Sequence, residues 1–151
     1  MKLKEEVGDL SDRTHSRHFW RSIGAVLAGI LVGVGFTIGT DIVLHVTGAF
    51  PPIGQPMSDL LFVLATIYRT VYSVLGSYVT ARRAPDKPMQ HALAGGIVGM
   101  VVATIGAVLT WNKGAAFGPH WYPLILIALA IPTAWAGGKI RQVQITRAQP
   151  I

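Results

Sequence analysis

The chain has no cysteine and few charged residues. None of its 151 residues is cysteine, and only 13% are charged. The missing cysteine excludes disulfides, thiolate metal sites and cysteine-based redox chemistry. A hydrophobic fraction of 51% and a mean hydropathy of +0.48 are too apolar for a soluble domain of this length. The composition therefore predicts one membrane-embedded domain.

Sequence motifs for catalysis are also missing. The chain contains no nucleophile elbow, no phosphate-binding loop and no paired carboxylates. Its net charge of +6 would suit nucleic acid, but the basic residues flank apolar segments. There, the anionic inner leaflet of a bilayer attracts each of them by about 1 kcal/mol. We expect that leaflet as a partner, and we expect no enzyme activity, no cofactor and no nucleic acid.

Four long apolar segments divide the sequence. A helix needs about 20 residues to cross the hydrocarbon core of a bilayer, and each segment is at least that long. The pattern predicts an all-α integral membrane protein with four transmembrane helices in a domain of residues 20–142. The predicted spans cover about residues 20–46, 59–82, 89–111 and 121–140.

The positive charges lie at one end of this predicted bundle. Eleven of the 13 lysines and arginines precede the first span, separate the second from the third, or follow the fourth. The other two loops together carry only Lys113. Because cytoplasmic loops retain Lys and Arg and translocated loops lack them, both termini are predicted to be cytoplasmic. The expected location is the inner (plasma) membrane.

Two terminal segments flank the spans. The leader, residues 1–19, mixes acidic and basic residues with a thin apolar face, so a frayed tail and a helix lying on the membrane surface both fit. The tail, residues 143–151, is short and polar, and a mobile cytoplasmic segment is expected there.

The first and third spans resemble one another. Residues 26–33 read VLAGILVG and residues 92–99 read ALAGGIVG, and a Thr-Ile-Gly follows each. Duplication of a two-helix hairpin would explain the match, with the copies related by an axis along the membrane normal. Chance similarity between two spans rich in Gly and Ala is the alternative.

Small residues recur every four positions in both of these spans. Lipid provides no hydrophobic force between helices, so close backbone approach at small residues is a main source of their association. Gly29 and Gly33 in the first span, with Gly95 and Gly99 in the third, predict that these two spans cross closely. An interface between protomers is the alternative.

Polar residues in the second span follow helical spacing. Threonines, serines and one arginine share a face, and Asp41 lies in the first span between Thr37 and His45. A charge deep in the bilayer costs a few kcal/mol unless it is paired or hydrated, so Asp41 and Arg69 are predicted to pair. The candidate intramembrane site comprises Thr37, Asp41, His45, Thr66, Arg69, Thr70 and Ser73, and the helical face in the second span continues to Ser77 and Thr80.

Two classes of function fit this site. In one, the protein is a transport unit, or a unit that binds an ion or small solute, and acts as a homo-oligomer or with a membrane partner. In the other, it is an accessory or assembly subunit and the Asp41–Arg69 pair is structural. Asp41 and His45 also have the i, i+4 spacing of metal ligands, with His120 as a third, but this pattern is too weak to predict a metal site.

Overall fold

Four long helices form the fold. The structure, a computed structural model, describes the backbone of residues 2–114 and 117–148, and the side chains from His18 onward within those ranges. Each helix is long and apolar enough to span a membrane. The predicted all-α fold with four membrane-spanning helices is confirmed. The helices are α1 (Lys2–Val46), α2 (Asp59–Arg83), α3 (Pro88–Thr110) and α4 (Trp121–Arg147).

The first and last helices extend beyond the predicted spans. The α1 backbone is helical without a break from Lys2, so the leader is continuous with the first span rather than separate from it. Helix α4 continues to Arg147, which makes the first part of the predicted tail helical. Residues 149–151 of that tail lie outside the described residues. Helix α3 begins with proline at its first position, where the missing N–H costs no helical hydrogen bond.

Helix α2 lies at the centre of the bundle. It packs along α1 and along α4, and it also contacts α3. Helix α3 packs mainly on α4, whereas α1 and α3 share only a small contact. Within each hairpin, α1–α2 and α3–α4, the two helices are antiparallel. Helices α2 and α4 run parallel to each other. Residues near the start of α2 contact residues near the start of α4, as Phe62 does Tyr122, and residues near the ends of the two helices also meet, as Tyr78 does Gln144.

Gly29 and Gly33 of α1 pack against α2, not against α3. A Cβ at Gly29 would overlap the Thr80 hydroxyl and the Gly76 carbonyl, and one at Gly33 would lie 3.3 Å from the Tyr72 carbonyl oxygen. The predicted close crossing of the first and third spans through their glycines is therefore wrong. Spacing identifies a small face on a helix but not the helix that this face meets, and Gly76 supplies the complementary gap.

The glycines of α3 have two different environments. The position of a Cβ at Gly95 lies 3.8 Å from Val26 Cγ1 of α1, and one at Gly99 would meet nothing within 4 Å. The close contact with α4 is made instead by Gly96, where a Cβ would overlap that of Ala134. Gly33 and Gly99, which align in the two similar segments, therefore do not occupy equivalent positions.

The parallel contact between α2 and α4 also depends on a glycine. A Cβ at Gly137 would lie 2.5 Å from the Val74 carbonyl oxygen and 2.6 Å from the Tyr78 backbone nitrogen. No side chain fits there, so the two backbones pack directly against each other. This close packing holds α2 in place behind the polar residues of the candidate site.

Candidate functional site

Asp41 of α1 and Arg69 of α2 form an ion pair. The Arg69 Nη2 atom donates to Asp41 Oδ2 over 2.7 Å. The Tyr68 hydroxyl donates to the other carboxylate oxygen, so both oxygens of Asp41 have a partner. The exposed fractions of the Arg69 and Asp41 side chains are 32% and 27%. The pair predicted from the sequence is present, and it borders open space rather than being sealed in the bundle.

Aromatic rings surround the guanidinium. The Arg69 Cζ atom lies 6.0 Å from the Tyr68 ring centroid and 5.9 Å from that of Tyr122 on α4. These distances are at the limit for a cation–π attraction. Tyr122 packs in turn on Phe62, with 5.0 Å between their ring centroids. The rings cover Arg69 on the side nearer the start of α2.

A cavity of about 530 Å³ adjoins the ion pair. Its size falls within the range of sites for small ligands, roughly 300–1,000 Å³. Along α1 it extends from Gly29 to Asp41, a length of roughly 18 Å at 1.5 Å per residue. All four helices contribute to its lining. Its polar lining residues are Thr37, Asp41, Arg69, Thr70, Ser73, Ser77, Thr80 and Thr133.

Several hydroxyls along this cavity have no hydrogen-bond partner among the described residues. Most threonines of the described helices donate to a backbone carbonyl one turn earlier, as Thr70 does to Thr66 over 2.7 Å. Among the described residues, no hydrogen bond involves the side-chain hydroxyl of Thr37, Ser73 or Ser77. These hydroxyls line the cavity and remain available to a ligand.

Two predicted site residues lie away from the cavity. Thr66 is buried, and its hydroxyl donates to the Phe62 carbonyl over 2.9 Å. The His45 ring bonds through Nδ1 to the Asp41 backbone carbonyl over 2.7 Å and packs edge-on against Phe50. His45 therefore belongs to the end of α1 and its loop, and the structure does not bring it to the cavity.

The second histidine considered as a metal ligand is also engaged elsewhere. The His120 ring stacks on Trp111, with 4.3 Å between centroids, and its Nε2 atom lies 3.0 Å from the Trp111 carbonyl oxygen. Within the described part of the chain, no three His, Asp or Glu side chains come together in an arrangement that could hold a metal ion.

Tyr122 is the site residue that sequence reasoning missed. A tyrosine at the start of a span is typical of an interfacial aromatic, and nothing in the sequence pattern connects Tyr122 to Arg69. The parallel packing of α2 and α4 brings the two together. Two tyrosines of α2 also belong to this region: Tyr68 bonds Asp41, and Tyr72 bonds the Thr40 hydroxyl over 2.9 Å.

The fold and site together define a class of protein. This is a small four-helix membrane protein with an ion pair and a hydroxyl-lined cavity between its helices. No family model, no curated protein and no solved structure matches the chain.

Proposed function

We propose that the protein binds a small ligand within the membrane, as a unit of the transport type that acts as a homo-oligomer or with a membrane partner. The observation that carries this proposal is the cavity of about 530 Å³ beside the Asp41–Arg69 pair. A pair that served only to hold two helices together would need no such space. Here it contributes to the wall of a ligand-sized volume.

The energetics of the pair support a role beyond stability. Bringing two charges out of water costs several kcal/mol for each ion, whereas close packing of small residues holds helices together in lipid without that cost. The α1–α2 contact already has Gly29 and Gly33 packed on Gly76. The Arg69 Nε atom is also enclosed without a hydrogen-bond partner among the described residues. Retaining an expensive, incompletely satisfied pair is best explained by binding.

The proposed roles follow from position. Arg69 and Asp41 form the polar end of the cavity, and Tyr68 orients the carboxylate. The hydroxyls of Thr37, Ser73 and Ser77 offer hydrogen bonds along its length. We expect movement of a ligand across the membrane to require a second copy or a membrane partner.

Binding should be lost when the ion pair is removed. We expect some members of a panel of ions, water-soluble solutes and lipid-soluble compounds to raise the Tm of the wild-type protein in nanodiscs. The variant Asp41→Asn/Arg69→Gln should lose that shift, and it should lose any flux of the same compound into proteoliposomes. If wild type and variant behave alike in both assays, the accessory-subunit function should replace this one.

The proposed orientation puts both termini and the loop between α2 and α3 in the cytoplasm, with the protein in the inner (plasma) membrane. Its support is the distribution of Lys and Arg. Reporter fusions after Gln55 and after Arg83 should therefore report opposite sides of the membrane. The same side for both fusions would contradict the proposed orientation.

A further inference from the structure

Packed residues lie across both ends of the cavity. One end of the cavity lies near Thr80, which is only 2% exposed. There, a Cβ at Gly95 would lie 3.8 Å from Val26 Cγ1 and 3.9 Å from the Thr80 hydroxyl. At the other end, the Asp41–Arg69 pair lies beneath the Tyr122 ring.

The cavity is open on its side, between α1 and α3. These helices approach at Val26 and Gly95, but at Gly99, one turn further, a Cβ would meet nothing within 4 Å. The edges of this opening are apolar: Val34 of α1 is 49% exposed and Val102 of α3 is 63% exposed. In a membrane this side faces hydrocarbon, because the opening lies midway along helices that span the bilayer.

The lining indicates what kind of molecule would fit. The hydroxyls of Ser73 and Ser77 can donate hydrogen bonds from α2, and the edges of the opening are aliphatic. Both carboxylate oxygens of Asp41 are already bonded, by Arg69 and Tyr68. A cationic ligand would have to compete with Arg69 and Tyr68 for the carboxylate, and an anionic ligand would have to compete with Asp41 for the guanidinium. An uncharged ligand that accepts hydrogen bonds meets neither obstacle.

We propose that the ligand enters from the bilayer between α1 and α3, and that it is a lipid-soluble molecule whose carbonyl or ester oxygens accept hydrogen bonds from Ser73 and Ser77. This inference rests on the proposed function and specifies the substrate class of the same cavity. The carbonyl group has two possible sources, a free lipid-soluble compound or the ester linkage of a bilayer phospholipid.

The absence of cysteine makes single spin labels straightforward to place. We would label Val102→Cys at the cavity opening and, as the matched control, Val108→Cys, an exposed position on α3 that does not line the cavity. In nanodiscs, the ratio of collisions with oxygen to collisions with a water-soluble nickel chelate should be at least as high at residue 102 as at residue 108. Residue 108 lies nearer the end of its helix and therefore nearer water, so nickel collisions at residue 102 above those at residue 108 would be a stringent sign of water in the cavity.

The ligand class is tested with methyl laurate and tridecane, which differ in the ester group. Methyl laurate should reduce oxygen collisions at residue 102 but not at residue 108. Its half-saturating concentration should be about fivefold below that of tridecane, the factor that one net hydrogen bond contributes. The double variant Ser73→Ala/Ser77→Ala should remove this difference between the two compounds.

Nanodiscs of ether-linked phospholipid distinguish the two possible sources of the carbonyl group. If methyl laurate binds more strongly there than in nanodiscs of ester-linked phospholipid, the lipid ester is the usual occupant. If it binds equally in both, the usual occupant is a free compound.

Two results would overturn the inference. Nickel collisions at residue 102 that exceed those at residue 108 would show an aqueous cavity, which contradicts entry from lipid but leaves the proposed function intact. Equal effects of methyl laurate and tridecane would contradict the hydrogen-bonding site. If neither compound affects residue 102 and no panel compound raises the Tm, the proposed function fails together with this inference.

Discussion

Asp41→Asn should destabilise the folded bundle by about 3 kcal/mol, because it leaves the Arg69 charge in the membrane without its partner. This is the low end of the range for broken buried pairs, chosen because about a third of each side chain is exposed. The double variant Asp41→Asn/Arg69→Gln should lose less than the single variant, since no unpaired charge remains. The measurement is the free energy of unfolding in mixed micelles.

The control for this prediction is Asp59→Asn. Asp59 is an exposed acidic residue in the first turn of α2, where its charge interacts favourably with the helix dipole by about 0.3–1 kcal/mol. Its removal should therefore cost much less than the loss of Asp41. If the double variant loses at least as much free energy of unfolding as its two single variants lose together, the charges do not stabilise each other.

Gly76→Leu should prevent α1 from packing on α2. A Cβ at Gly76 would already lie 2.6 Å from the Gly29 carbonyl oxygen, and that backbone can move only if the helices separate. Overpacked sites typically cost about 1–3 kcal/mol, and we expect the upper end here because the obstacle is backbone. Gly96→Leu should have a similar effect between α3 and α4, where its Cβ would overlap that of Ala134.

The matched control is Gly99→Leu, which lies less than one turn from Gly96 on the same helix. A Cβ there meets open space, so this variant should fold with near wild-type stability. Thermal unfolding in nanodiscs would compare the three variants. If Gly99→Leu proves more destabilising than Gly96→Leu, the assignment of the packed and open faces of α3 is wrong.

The spans and the ion pair could be predicted because each depends on properties that the sequence carries directly. Helix length and hydropathy determine which segments can cross a bilayer. The Asp41–Arg69 pair could be predicted from the cost of an unpaired charge in the membrane and from the helical rise per residue. Asp41 lies five residues before Val46, the end of α1, and Arg69 lies ten residues after Asp59, the start of α2. These positions differ in depth by roughly 8 Å, which a long arginine side chain can bridge.

The arrangement of the helices could not be predicted in the same way. Several faces of α1 and α3 are rich in small residues, so spacing alone could not decide whether Gly29 meets Gly76 or Gly95. The cavity depends on that choice, because it exists where α1 and α3 fail to meet. Tyr122 reaches Arg69 only because α2 and α4 pack in parallel through Gly137, a contact between segments that are distant in sequence.

The most direct test of ligand binding in the cavity is whether filling the cavity abolishes binding in a protein that still folds. Gly99→Leu adds its side chain at the lining of the cavity, whereas Gly106→Leu adds the same group on α3 at a position that does not line it. The measurement is the Tm shift produced by a compound that stabilises the wild-type protein. Gly106→Leu should retain this shift and Gly99→Leu should lose it, and an undiminished shift in Gly99→Leu would contradict binding in this cavity.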